Sequence, residues 1–484
     1  MDIEKTTVIQ AGDDSDDSLS AVDLAAEKRL VWKCDLHVVP PLFILFLLAF
    51  LDRVNIGNAK IQGLEKELNM TGNDYNIALL VFFVPYILFE VPSNLILKNI
   101  APSTWLTLII LLWGIATIGQ GLVTNFAGLV ACRLLLGLFE AGFFPGCVYL
   151  ISMYYKRYEL QWRLNVFFSA SILAGAFGGL FAYGLAKMEG VGGYSGWRWI
   201  FIIEGLLTVA VALISKFWVV DWPETASFLT DEDRELLLKR LASDVGFAKM
   251  NRLDKKAMWR IAKDWKIYTG ILMYLTVVNT SYSSSFFLPT IIQELGSFSA
   301  AAAQVRSIPV FIAASICALL TALATDRLHH RYGFCMLGLA VAAVGYILLL
   351  AQGGLAPGVK YFATFLITCG GYITQPVTVA WLSNNTGGHY KRAVASALQI
   401  GVGNIGGLIA SLIYIDSEKP RYPTGYGISF AFLGICALTC TGTVLGVIFE
   451  NRKRDRGERD YRLELPAEEV ENMGDDHPAI RLSK

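Results

Sequence analysis

Apolar residues run along this chain in twelve blocks of roughly 20, the length that carries an α-helix across the hydrocarbon of a bilayer. The blocks cover residues 38–58, 74–97, 104–122, 126–153, 164–187, 197–220, 267–292, 306–326, 333–352, 359–382, 393–415 and 426–450. Six come first, a polar interval follows at 221–266, and six more complete the series. The interval contains T-D-E-D at Thr230 to Asp233, a helix N-cap pattern opening ELLLKRL. It also contains WRIAKDWKI, an amphipathic basic stretch suited to a membrane surface. The pattern predicts an all-α membrane protein, with twelve transmembrane helices in two pseudo-symmetric six-helix bundles. In this reading 1–37 is a disordered cytosolic tail, 38–220 the first bundle, 221–266 a cytosolic linker with short amphipathic helices, 267–450 the second bundle, and 451–484 a cytosolic tail.

The halves repeat one another. GAFGGLFA from Gly175 aligns with GNIGGLIA from Gly403 at an offset of 228, matching three glycines, Leu180 with Leu408 and Ala182 with Ala410. The same offset sets Lys98, after the second span, opposite Asp326, after the eighth. Internal repeats of this kind are a mark of secondary transporters.

Composition agrees with a bilayer. Apolar residues make up 54% of the chain and charged residues 17%, against about 25% in soluble proteins; mean hydropathy is +0.48. Lys+Arg and Asp+Glu are both 41, so no basic face is available for a nucleic acid, and none is expected as a partner. The eight cysteines show no C-x-x-C spacing, so buried packing is expected rather than a metal or disulfide site. DDSDD at Asp13 to Asp17 and an apolar run starting only near Val38 argue against a cleavable signal peptide. Lys and Arg in the short loops tie at eight on each side. Basic residues in both tails and ten in the linker break the tie, so both termini and the linker are expected in the cytosol.

A charge at the centre of a membrane helix costs about 2.5 to 3.5 kcal/mol, so such residues point to function. Asp52, Arg53, Glu90, Arg133, Glu140 and Glu204 lie well inside spans, all in the first half. Arg133 and Glu140 are two turns apart, on one face of the fourth span with about 10 Å between them in height. Asp52 and Arg53 lie at the level of Arg133, so two arginines and a carboxylate share a layer with Glu140 deeper. Such a set suits a coupled carrier, because arginine grips a carboxylate bidentately and buried acids titrate. Fixed ion pairs between the first and fourth spans are the alternative, and capping or pairing is expected for Glu90 and Glu204. The seventh and tenth spans bring neutral polarity instead. NTSYSSSFFLP (Asn279 to Pro289) and GGYITQPVTVAWLSNN (Gly370 to Asn385) offer Tyr282, Gln375 and Thr374 to orient a ligand, and Phe286 or Phe287 to stack on a ring. Their prolines and glycines predict helix breaks beside a cavity.

LDRVNIGNA (Leu51 to Ala59), FEVPSN (Phe89 to Asn94), RLLLGLFEAGFFPG (Arg133 to Gly146), GWRWIFIIEG (Gly196 to Gly205) and NNTGGHYKRAVASA (Asn384 to Ala397) together resemble the anion:cation symporter family of the major facilitator superfamily. The likeness extends over nearly the whole chain except the tails, and is strongest to the fungal branch of nicotinate and allantoate permeases. It implies the major facilitator fold and proton-coupled uptake of a small organic anion by alternating access. It further implies Asp52 and Glu140 as proton carriers, Arg53 as the contact for a substrate carboxylate, and Arg133 as a residue tuning the neighbouring acids and adjoining the substrate. Asp326 and Arg327, in DRLHHRYG, correspond to a cytosolic gate; the first-half counterpart reads LILKNIAPS and departs from the family pattern. The resemblance implies no cofactor beyond the proton gradient as energy source, a monomer, and the plasma membrane. The alternative is efflux of a secondary metabolite. The fifth span reads GAFGGLFAYG, without the proline of the G-x-x-x-G-P-x-x-G-G signature of proton antiporters, which favours uptake. No G-x-S-x-G, metal triad or phosphate loop points to an enzyme.

Overall fold

A backbone in lipid must satisfy its polar groups within its own segment, and each apolar block does so as a helix. The computed structural model describes residues 14–97, 99–243, 255–296, 298–328, 330–387, 389–466, 469–470 and 472–483. The first half comprises α1 (Asp14–Val54), α2 (Asp74–Leu97), α3 (Pro102–Leu122), α4 (Phe126–Glu140, resuming as Phe143–Ser152), α5 (Arg157–Leu185) and α6 (Gly196–Trp218). The second comprises α7 (Trp265–Leu295), α8 (Ala300–Leu328), α9 (Arg331–Leu350), α10 (Pro357–Asn384), α11 (His389–Gly403, resuming as Ile405–Ile413) and α12 (Pro423–Asp455). Starts are where local chemistry places them: Pro102 and Pro357 open α3 and α10, and Asn125 caps α4 by accepting from Gly128 N at 2.8 Å.

Eleven of these segments are long and apolar enough to cross a membrane, among the described residues. The remaining one, α7, carries amides and hydroxyls through its centre, and every residue from Thr276 to Ile292 is buried. A helix enclosed by protein needs no lipid-facing side. α7 and α10 run unbroken through Pro289 and Pro376, contrary to the breaks expected there. The interruptions fall instead at Asn55 after α1, at Ala141–Gly142 in α4 and at Asn404 in α11.

Each half packs its own helices together, α3 on α6 and α2 on α4 in the first, α9 on α10 and α12 in the second. The halves meet along α5–α8 and α2–α11. The repeated glycine motifs lie on these two seams. A Cβ on Gly179 would lie 2.8 Å from Ser307 Oγ of α8, and one on Gly407, its counterpart, 2.7 Å from the Phe83 ring of α2. An even number of crossings puts both termini at one end. At the far end the halves are bonded to each other: Asn76 Nδ2 donates to the Tyr414 carbonyl at 3.0 Å and Gln62 Nε2 to Gln304 Oε1 at 3.0 Å, while Lys60 lies 3.8 Å from Asp416. Gly57 joins this seal, since a Cβ there would stand 2.5 Å from the Phe286 carbonyl oxygen.

At the termini end, residues 14–37 are helical, which corrects the expectation of disorder for that stretch; residues 1–13 lie outside the described residues. Glu27 pairs with Lys156 before α5 and with Arg240 of the linker, each at 2.6 Å, and Lys33 with Asp233 of the linker at 2.6 Å, so ion pairs fasten α1 where it continues below its span. The linker forms two helices, Asp231–Ser243 and Lys255–Lys263, the first capped by Thr230 Oγ1 accepting from Asp233 N at 3.2 Å. The C-terminal segment docks on the second bundle. Asp475, 1% exposed, takes Lys266 Nζ at 2.6 Å, Lys391 Nζ at 2.8 Å and Gly387 N at 2.9 Å. Ser483 O accepts from Trp381 Nε1 at 3.1 Å and Asn385 Nδ2 at 3.0 Å.

Candidate functional site

Between the halves lies a small cavity lined by both. α1, α2, α4 and α5 contribute Phe46, Phe50, Arg53, Tyr86, Phe144, Phe168 and Ser171; α7, α10 and α11 contribute Tyr274, Ser281, Tyr282, Tyr372, Gln375, Ile400 and Asn404. The wall is mainly aromatic, with one cation. A guanidinium among rings is tolerated because the ring faces are electronegative, and the Arg53 group lies 4.9 Å from the Tyr86 centroid and 5.0 Å from that of Phe82.

Arg53 is the hub. Its Nη2 forms an ion pair with Glu140 Oε1, which also accepts from Nε at 3.1 Å, and its Nη1 donates to the Tyr282 hydroxyl. Tyr282 in turn donates to Asn404 Oδ1 at 3.5 Å. One side chain therefore links α1 and α4 of the first half to α7 and α11 of the second. Glu140 is 1% exposed and its Oε2 has no hydrogen-bond partner, so the pair leaves half of the carboxylate's acceptor capacity unused. The fixed ion pair between α1 and α4, the alternative reading of these charges, does form, and its Arg53 end lines the cavity.

The other expected residues separate into two groups. Tyr282 and Gln375 line the cavity, and Gln375 Oε1 accepts from Ser281 Oγ at 2.7 Å. Asp52, Arg133 and Phe286 do not line it. Arg133 is 1% exposed inside the first bundle, donates from Nη1 to the Arg53 carbonyl at 3.1 Å, and lies over the Phe201 ring. It therefore does not reach the cavity wall, where it was expected beside the substrate: the two-turn spacing puts it on one face of α4 with Glu140, but Glu140 meets the side chain of the cavity-lining Arg53, whereas Arg133 meets the Arg53 backbone. Phe286 is buried in the far-end seal, stacked on Tyr282 at 5.4 Å between centroids. Arg327 is exposed at the termini end of α8, and the side chain of Asp326 lies outside the described residues.

Sequence reasoning passed over most of the lining. Tyr86 sits four residues before Glu90, and Asn404 inside the GNIGG repeat, so a motif pointed to both neighbourhoods. Phe46, Phe144 and Phe168 are apolar residues on apolar helices, and no pattern separates those facing a cavity from those facing a neighbour.

The pattern of the Major Facilitator Superfamily matches residues 42–411. An uncharacterized transporter of Schizosaccharomyces pombe is 37% identical over 427 residues, covering 88% of this chain and 85% of its own. The MFS-type transporter cnsO of Penicillium expansum is 34% identical, covering 95% and 91%. The high-affinity nicotinic acid transporter of Saccharomyces cerevisiae is 29% identical, covering 98% and 88%. Among solved structures, a bacterial homologue of the human lysosomal transporter Spinster, in an inward-facing and occupied conformation, superposes with a TM-score of 0.62 at 16% identity, covering 84% of this chain and 96% of the other. On helix order, paired halves and sequence alike, this chain is a multi-pass membrane protein that belongs to the Major Facilitator Superfamily.

Proposed function

We propose that the chain is a proton-coupled importer of a small organic anion, a carboxylate or vitamin of the nicotinate or allantoate kind, within the anion:cation symporter branch. The observation that carries this reading is Arg53: one cation in the cavity wall, balanced by one half-used carboxylate. An entering carboxylate competes with Glu140 for the guanidinium. A proton on Glu140 releases Arg53 to the substrate, and the cavity then holds one cation, one anion and a neutral acid. Its net charge is the same empty and loaded. That equality matters because rocking the halves carries the cavity's charge through a low dielectric.

The aromatic lining suits a flat ring attached to the carboxylate, and the nicotinic acid transporter among the relatives supports that class. Asp52 acts as a second proton carrier, and Asp326 and Arg327 take part in gating at the termini end. No cofactor is needed beyond the proton gradient. Both termini lie in the cytosol and the protein works as a monomer in the plasma membrane, so the sealed far end faces outward. The test is uptake of labelled monocarboxylates, nicotinate and allantoate included, across a pH gradient. Accumulation that collapses with the gradient is expected. Accumulation indifferent to the gradient, or extrusion of preloaded compound, overturns the reading.

A further inference from the structure

Asp52 does not open onto the cavity. Its carboxylate is turned into the first bundle, where Oδ2 accepts from Trp113 Nε1 at 3.2 Å and Thr208 Oγ1 at 2.8 Å, while Oδ1 has no hydrogen-bond partner. One turn along α1, Asn55 Nδ2 donates to Glu204 Oε1. Glu204 is 2% exposed, and its Oε2 is unpartnered. These are two rungs between antiparallel helices, 52 with 208 and 55 with 204. A step of three residues on α1 matches four on α6, which stacks the two carboxylates about 5 Å apart in height. The polar line continues toward the far end along the same segment: Asn58 Nδ2 donates to Asn55 Oδ1 at 2.9 Å, and Asn58 Oδ1 is unpartnered. Gly178 of α5 makes room for it, since a Cβ there would stand 2.7 Å from Asn55 Oδ1.

The charges around Glu204 are few. α1 presents Asp52; α3 has no ionisable side chain, and α5 has none between Arg163 and Tyr183. On α4 the charged groups are Arg133 and Glu140. Lys60, beyond α1, is engaged by Glu65 at 3.2 Å, and Arg198, on α6 itself, by Glu67 at 2.8 Å. Glu204 forms no ion pair among the described residues. A buried carboxyl oxygen with neither a cation nor a hydrogen-bond donor against it is a place for a proton.

We infer that Glu204 is a proton-binding residue that passes its proton to Asp52 along the α1–α6 rungs, so that protons travel inside the first bundle while the organic anion crosses the cavity between bundles. In the transfer the O–H bond at Glu204 breaks as one forms at Asp52; Glu204 takes its next proton from the far end, and Asp52 gives its proton up toward the termini end. Asn55 holds the donor Glu204 in place, and Trp113 and Thr208 hold the acceptor Asp52. This rests on the proton-symport reading above and adds a route separate from the substrate's.

Two measurements on the full chain test it. Infrared difference spectra between acidic and alkaline pH should show the carbonyl band of a protonated carboxyl that Glu204→Gln removes and Glu204→Asp restores; a band undiminished in Glu204→Gln overturns the inference. The glutamine keeps the shape and the Asn55 contact, so loss of the band is not loss of packing. In proteoliposomes with labelled nicotinate as probe, Glu204→Gln should lower gradient-driven uptake about tenfold or more, with counterflow exchange unchanged. Undiminished gradient-driven uptake overturns the relay. If the wild-type chain shows no response to the gradient, the symport reading fails, and the infrared band alone decides whether Glu204 binds a proton.

Discussion

The guanidinium of Arg53 on α1 donates to the phenol of Tyr282 on α7, so a side chain of the first half is bonded across the cavity to the second. A bond that bridges the halves must break whenever they separate at that level. Tyr282→Phe removes it. A hydrogen bond to a charged group is worth about 1.5–3 kcal/mol, which favours the separated arrangement by roughly ten- to a hundredfold. Faster labelling of a cysteine placed at Gln62 by an impermeant maleimide is the expected result.

Arg53→Ala takes away the cavity's cation. The Michaelis constant for a carboxylate substrate should rise by about ten- to a hundredfold, the scale of one charged hydrogen bond. The constant for its amide should change far less. Initial rates over a concentration series for both compounds check this, and equal effects would show that Arg53 does not read the carboxylate.

Two glycines separate sealing from folding. Gly57 meets the Phe286 carbonyl across the halves, whereas Gly406 meets the Leu275 carbonyl within the second bundle, where a Cβ would stand 2.1 Å from the oxygen. Gly406→Ala should lower the midpoint of thermal unfolding, because backbone must move to admit the methyl group. Gly57→Ala should leave that midpoint nearly unchanged and keep the far end accessible to the same maleimide.

Asp475 fastens the C-terminal segment. Burial raises the pKa of its carboxyl, but the nearby Lys266 and Lys391 outweigh that and hold it below the ordinary value of 3.8. A depressed carboxyl contributes stability that is complete above its ordinary value and is lost only as pH falls through the lower one. Docking of residues 472–483 should therefore not vary with pH from about 5 upward and should loosen only in stronger acid. Asp475→Asn should release the segment at every pH, at a local cost of about 3 kcal/mol. Hydrogen exchange of the segment is the measurement.

Much of the architecture was written in the apolar periodicity. The twelve blocks, the polar interval and the repeat at an offset of 228 all correspond to helices and seams in the structure. The Arg53–Glu140 pair was legible because charges in lipid are conspicuous and rise per residue fixes their heights. Direction around each helix axis was harder to read. Asp52 and Arg53 are adjacent in sequence, yet one faces the bundle interior and the other the cavity, and Arg133, on the same helical face as Glu140, bonds to the Arg53 backbone away from the cavity wall. Tail docking left no pattern either. Asp475 looks like any acidic residue until Lys266 and Lys391, some 209 and 84 positions earlier, are brought around it.

The enclosure of α7 has a consequence for how the chain is made. A segment with Asn279, Thr280, Ser281 and Ser283 to Ser285 at its middle partitions poorly into lipid on its own, so as it leaves the ribosome it has little to hold it in the bilayer. Apart from the stretch just after α1 that it meets at the far end, its main partners α8, α10, α11 and α12 are synthesised later. Stable insertion of α7 must therefore wait for helices that do not yet exist, and nascent chains cut between α7 and α10 should be handled by the cell's quality control as half-inserted proteins.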